Sequence, residues 1–226
     1  MKKLLFTICL LATTLAVSAQ GYNSLSVSYT PSTLGGGEVE EFMGEDKYNF
    51  NGFSLEYTRG FAITNNIPLF VEAGLGFQFL NWNDKEELEG DYSFKGVINA
   101  TSLYIPANVG YKFTITDNIS VMPYLGLNLR FNLTSKYKLG ICEDGKWMDD
   151  VEELGMEENP VVLNMFSEDD LGDYTMKRFL VGWQIGAKAQ FSNYTVGVSY
   201  GTTLGDVFNK LDSRFGITTI SVGYTF

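Results

Sequence analysis

The 226-residue chain contains no histidine. Catalytic triads and Cys–His pairs that use imidazole as the base are therefore excluded, and so is every histidine-ligated metal site. Cysteine is almost as scarce. Cys9 and Cys142 are the two in the chain, too few for the disulfide framework of a small secreted domain. Proline numbers 5, and charged residues make up only 19% against 45% hydrophobic and 15% aromatic, which is not the profile of a disordered or collagen-like protein. Positive charge is also short: 16 Lys and Arg stand against 27 Asp and Glu, a formal net charge of −11. That balance has the wrong sign for gripping phosphates and argues against a nucleic-acid partner. Beyond residue 19 no apolar run is long enough for a transmembrane helix.

The first residues are organised for export. Lys2 and Lys3 precede an apolar stretch from Leu4 to Val17, and Val17-Ser18-Ala19 supplies small residues for cleavage. This pattern predicts a signal peptide over residues 1–19, a mature start at Gln20 and passage through the general secretory route. The alternative, an N-terminal anchor, needs an apolar run of ~20 residues and this one is shorter. Cys9 sits inside the apolar stretch, without the small-residue context of a lipidation site. Cleavage would remove Lys2, Lys3 and Cys9, which makes the exported chain more acidic and leaves Cys142 alone. Residues 20–226 are expected to form one domain.

After residue 21 the dominant pattern has period two, the mark of strands with unlike faces. It runs through eight segments: Leu25 to Tyr29, Phe53 to Thr58, Leu69 to Leu80, Leu103 to Phe113, Val121 to Phe131, Phe179 to Phe191, Tyr194 to Tyr200, and Ile220 to Phe226. A shift of 52 residues aligns Phe61 and Ile63-Thr64-Asn65-Asn66-Ile67 with Phe113 and Ile115-Thr116-Asp117-Asn118-Ile119. Each copy reads as a hairpin around a short polar turn, and Ser192-Asn193 marks a third. The remaining connections, over residues 31–48, 81–96, 132–177 and 204–214, hold 24 of the 27 acidic residues. Short turns at one end and long polar connections at the other are the asymmetry of a barrel set in an outer membrane.

The face opposite the apolar one decides between water and lipid. A soluble sandwich would expose that face to water and carry many Lys and Glu there. Here it carries mostly Gly, Ser, Thr, Asn and Gln, which suit the crowded interior of a narrow barrel. Aromatics near strand ends form two expected belts. Tyr57, Phe61, Tyr111, Phe113, Phe191 and Tyr194 flank the short turns; Phe79, Trp82, Phe131, Phe179 and Tyr200 lie toward the long connections. The chain closes on Tyr224-Thr225-Phe226, with Ile220 and Val222 in step before it. These residues resemble the terminal strand signal of Gram-negative outer-membrane proteins. The mature chain as a whole resembles the small outer-membrane β-barrels of the OmpA-transmembrane and OmpX type, often termed porin-like. The resemblance implies an all-β fold, an eight-stranded antiparallel up-and-down transmembrane barrel with short periplasmic turns and long acidic extracellular loops. It further implies a lipid surround in the outer membrane, and that Ile220, Val222, Tyr224 and Phe226 are read by the barrel-assembly machinery. The third long loop, residues 132–177, is larger than a minimal barrel needs.

Five charged residues fall on the inward face of this reading: Glu56, Glu72, Lys112, Arg130 and Lys188. Glu72 and Lys112 lie on neighbouring strands and are expected to pair. The set reads as a structural network, with a gate across the lumen as the sharper alternative; Arg178 is expected near it at the long-loop end. Within the third loop, Trp147, Val151 and Leu154 have helical spacing, and Asn159-Pro160 reads as the start of a second helical segment through Phe166. The loop's 12 acids read as a solvated surface, with divalent-cation binding as the alternative but no EF-hand spacing. Its apolar residues either fold over the barrel or offer a partner site. No catalytic, cofactor or metal residues are expected. The implied role is structural or interactive at the cell surface, with a narrow porin-like channel or an accessory subunit of a secretion or uptake complex as alternatives.

Overall fold

The computed structural model describes residues 21–39, 47–63, 67–88, 90–148 and 158–226. The signal-peptide segment 1–19, together with Val151 and Leu154, lies outside the described residues. In chain order the strands are β1 (Gly21–Tyr29), β2 (Ser32–Gly35), β3 (Lys47–Ala62), β4 (Leu69–Glu87), β5 (Tyr92–Tyr111) and β6 (Phe113–Thr116). They continue with β7 (Ile119–Glu143), β8 (Lys146–Trp147), β9 (Val161–Asn164), β10 (Phe179–Phe191), β11 (Tyr194–Thr203) and β12 (Arg214–Thr225). One helical turn, α1 (Glu168–Leu171), precedes β10.

Eight of these strands, β1, β3, β4, β5, β7, β10, β11 and β12, pair antiparallel in sequence order, and β1 joins the two ends. Ser26, for example, is opposite Glu56 on one side and Gly223 on the other. The ring therefore has no free edge among these eight, and its backbone donors and acceptors find partners from strand to strand. They are the eight strands expected from the alternation. At one end the connections are short: Ala62 leads to Leu69, Thr116 to Ile119, and Phe191 to Tyr194, where Ser192 takes a left-handed φ of 56°.

The long connections are less loop-like than their composition implies. β4 continues to Glu87, β5 starts at Tyr92 and β7 runs to Glu143, so much of 81–96 and 132–143 is strand. The alternation fades there because a strand leaving an apolar surround no longer needs an apolar outer face. The expected helix after Asn159-Pro160 is also corrected. Val161–Asn164 is strand β9, paired with Lys136–Leu139 of β7. Two adjacent valines suit a pleated edge better than a helix, and β7 there has backbone groups to satisfy. Trp147 likewise lies in β8, opposite Cys142, rather than in a helix.

The two faces of the ring differ as the pattern requires. Leu25, Val27, Phe53, Leu55, Leu75, Phe77, Val109, Leu125, Ile185, Val198 and Val222 all point out and are exposed. So apolar a girdle around a whole molecule is far larger than the patches soluble proteins tolerate. Inward positions are small or polar through most of the ring, but not at the long-connection end. There Tyr48, Phe50, Leu80, Trp82, Ile98, Leu180 and Phe215 turn inward from the strands, and Val39, Met165, Val207, Phe208 and Leu211 descend from the connections to meet them. Trp82, expected in an aromatic belt, is thus inside: its ring lies 4.8 Å from Tyr48 and 6.1 Å from Tyr137. The belt residues Phe79, Phe131, Phe179 and Tyr200 do point outward. An apolar plug therefore closes one end of the ring, and the third connection supplies part of it through Met165.

Phe208 reaches the plug from a connection and is 1% exposed. Phe208→Ala is expected to lower stability by about 3–5 kcal/mol, read as an earlier midpoint of urea unfolding in detergent followed by tryptophan fluorescence. An unchanged midpoint would mean that the connections do not pack into the ring.

Candidate functional site

The period of two brings charged side chains from opposite walls into the ring. On β4, the inward face places Glu72 opposite Gly60 of β3 and Asn108 of β5. On β10, three strands away around the ring, it places Lys188 at a similar height. Glu72 is completely buried, and Lys188 Nζ donates to both of its carboxylate oxygens at 2.9 Å. The Tyr22 hydroxyl from β1 donates to Glu72 Oε1 at 2.5 Å, and the Lys188 ammonium lies 5.2 Å from the Tyr124 ring centroid. A carboxylate removed from water needs this combination of a counter-charge and a hydrogen-bond donor.

The expected Glu72–Lys112 pair does not form. Lys112 donates to Gln190 Oε1 at 2.9 Å and sits 6.0 Å from the Tyr22 ring. The register explains the difference. Lys112 is four residues nearer the turn than Asn108, the true neighbour of Glu72, which is about 13 Å along a strand. Its ammonium occupies the rim of the ring rather than the level of Glu72.

Above the Glu72–Lys188 pair, Gln184 Nε2 donates to Asn108 Oδ1 at 2.7 Å, and Asn128 Nδ2 donates to Gln184 Oε1 at 3.2 Å. A cavity of about 70 Å³ adjoins this ladder, walled by serines and threonines of β1, β11 and β12 and by Glu56, Lys188 and Arg130. Glu56 and Tyr104 both line this cavity. Arg130 is buried, donates to Gln78 Oε1 and, at 2.8 Å, to Ser102 Oγ, and lies 5.7 Å from the Tyr104 ring. Glu56, Glu72, Arg130 and Lys188 thus line one interior, with Lys112 below them. Arg178 is outside it, exposed over the Phe166 ring at 4.2 Å.

Three tyrosines complete the interior and were not foreseen from the sequence. Each occupies space left by a glycine: a Cβ on Gly60 would stand 2.4 Å from Tyr22, on Gly76 2.2 Å from Tyr104, and on Gly186 2.7 Å from Tyr124. The signal was present. Tyr104 and Tyr124 are out of phase with the apolar residues beside them, Leu103, Ile105 and Leu125, and Tyr22 is in phase with Ser24 and Ser26.

Outside the ring, Lys210 and Asp173 form an exposed ion pair between two connections, and the Asp173 carboxylate holds the lysine ammonium above its ordinary range. No cluster of acidic side chains with metal-holding geometry occurs among the described residues. Ile220, Val222, Tyr224 and Phe226 all face outward, with the Tyr224 ring 5.6 Å from Tyr194 and stacked at 6.4 Å on Phe226.

A closed antiparallel ring with an apolar exterior and a charged, paired interior is the plan of a membrane barrel. Residues 4–226 match the family model described as the outer membrane protein beta-barrel domain. The chain belongs to that family. It is an outer-membrane protein of a Gram-negative bacterium, and its exposed girdle fits a lipid surround. A search of curated proteins finds no match. Among solved structures, the barrel is similar to Ail, the attachment invasion locus protein of Yersinia pestis, in complex with the heparin analogue sucrose octasulfate. Identity is 20%, coverage is 92% of this chain and 99% of that one, and the TM-score is 0.39. It is also similar to Neisserial surface protein A, at 12% identity, the same two coverages and a TM-score of 0.39. A third is a major outer membrane protein from Thermus thermophilus, at 15% identity, covering 90% of this chain and 99% of that one, with a TM-score of 0.42.

The interior pair gives a direct energetic expectation. Glu72→Gln or Lys188→Met alone leaves a buried charge without its partner and is expected to cost the barrel about 3–5 kcal/mol. The double variant should recover much of that loss, whereas Lys112→Ala should cost clearly less than either single change at the pair. Urea unfolding in detergent checks the series; equal losses at Lys112 and Lys188 would contradict the assigned pairing.

Proposed function

We propose that the chain is an eight-stranded up-and-down barrel with its short turns in the periplasm and its long acidic connections outside the cell, and that its role there is structural and interactive. The observation that carries this reading is the closed interior. A solute moving along the axis meets the Tyr22–Glu72–Lys188 contact near the short turns and the apolar plug at the other end. Between them lies space for only a few water molecules. Open aqueous channels come with about 16 or more strands, so bulk permeation is disfavoured on size as well.

The chemistry of the interior supports the same reading. Glu72 is held by a cation, a phenol and the Asn108 amide. No histidine exists to act as base. The charges hold the walls together rather than act on a substrate. The acidic connections, by contrast, are concentrated at one end and face outward, where contact with other molecules takes place.

Purified protein in planar bilayers is expected to pass no sustained current, and Glu72→Gln and Lys112→Ala are expected to leave that baseline unchanged. Stable single-channel steps from the native protein would overturn the closed reading. Steps appearing only in Glu72→Gln would instead assign the pair a gating role.

A further inference from the structure

Beyond the ring, β4, β5, β7 and β9 continue side by side as a sheet projecting from the long-connection end. Alternation sorts its side chains onto two faces. The face continuous with the plug is fixed by Trp82 and Tyr137, whose rings meet over Gly96. Followed outward, this face presents Val161, Phe94 and Tyr92, which are 37, 40 and 42% exposed.

The same face carries acids at every step. Asp84 is opposite Gly96, Glu86 is opposite Phe94, and Glu143 is opposite Tyr92. None of the three forms an ion pair among the described residues. The lysines of these strands fall on the other face, where Lys95 lies 5.6 Å over the Trp147 ring and Lys85 meets Glu87 at 3.7 Å. Across β4, β5, β7 and β9 the acids Asp84, Glu86 and Glu143 thus share the apolar side and the lysines the other, where Glu87 also lies; Lys146 of β8, opposite Glu143, adds a positive charge at the edge of the acidic side.

We infer that the face bearing Phe94, Tyr92, Val161, Asp84, Glu86 and Glu143 docks a cationic, apolar polypeptide segment. Side chains of alternating basic and apolar type would cover the aromatic stripe and neutralise the carboxylates between its members. Anionic ligands, such as phosphorylated glycolipids or nucleic acid, would be repelled from it. This inference rests on the surface-interaction reading above and names the partner class for it.

The test uses the full chain in phosphatidylcholine nanodiscs and a fluorescent ten-residue peptide of alternating Lys and Leu. Its counterpart with Glu in place of Lys and empty nanodiscs are the references, and anisotropy is the readout. The Lys peptide is expected to bind above empty discs and the Glu peptide is not, with affinity falling at least tenfold between 50 and 500 mM salt. Asp84→Asn/Glu86→Gln/Glu143→Gln and Tyr92→Ser/Phe94→Ser should each weaken binding at least tenfold. Lys85→Gln/Lys136→Gln, on the opposite face, should not. Retained heat-dependent migration on detergent gels shows that each variant is folded. Equal binding of the two peptides, binding no greater than that of empty discs, or face variants that bind like the native chain would each overturn the inference. So would a dimer that Tyr92→Ser/Phe94→Ser abolishes, because the face would then belong to a second copy. A folded, non-conducting protein that ignores the peptide sinks this inference alone, whereas sustained current sinks the reading on which it rests.

Discussion

Everything in this molecule follows from the need to satisfy backbone hydrogen bonds where water is absent. An unpaired N–H or C=O in hydrocarbon costs several kcal/mol, so a β-sheet can cross a lipid layer only if its last strand meets its first. The pairing of β1 with β12 is that closure. Once the ring is closed, period two leaves each residue one choice, lipid or interior, and the composition of both faces is determined by it. Outward positions become Leu, Val, Ile and aromatics; inward ones must share a space only eight strands around.

That narrowness governs the interior. The interior tyrosines fit where glycine stands across from them, as with Tyr22 and Gly60 or Tyr104 and Gly76. Charges enter only with partners, as Glu72 does with Lys188 and Tyr22. Toward the long connections the ring is filled by Phe50, Leu80, Trp82 and Phe215 together with Phe208 and Met165 from outside it. The result is a molecule whose middle is polar, whose upper end has an ordinary apolar core, and whose outer wall is as apolar as that core. The projecting sheet beyond inherits the same alternation, with Asp84, Glu86 and Glu143 on one face and Lys85 and Lys95 on the other.

Much of this was legible in the residues. Alternation located the eight strands of the ring, the 52-residue repeat located two of the three short turns, and Glu56, Glu72, Arg130 and Lys188, read as inward from their phase, lie in its interior. What failed has physical reasons. Pairing Glu72 with Lys112 assumed that adjacency of strands is enough, whereas height along the strand decides which ends meet, and Lys188 from a distant strand was at the right height. The strand extensions of β4, β5 and β7 were hidden because the apolar signal stops where lipid stops. Trp82 was assigned to a belt by residue type, although its even position shares the phase of Gln78 and Leu80, which face inward. The helix expected after Pro160 lost to an open edge of β7 that two valines could extend. The plug entered only as one of two alternatives for the third loop, because it is assembled from segments far apart in the chain, from Leu34 to Phe215, which no local pattern records.

The account stands or falls on the closed ring with its apolar side in lipid. Nuclear Overhauser contacts in isotopically labelled protein in lipid nanodiscs test both parts at once. The account expects contacts across the β1–β12 seam, between Val27 and Val222, and contacts from lipid acyl chains to the methyl groups of those two valines. It expects no acyl contacts to the methyls of Thr58 and Thr203, which are 2% and 6% exposed in the interior. Absence of the seam contacts, or lipid signals on the threonine methyls, would contradict it.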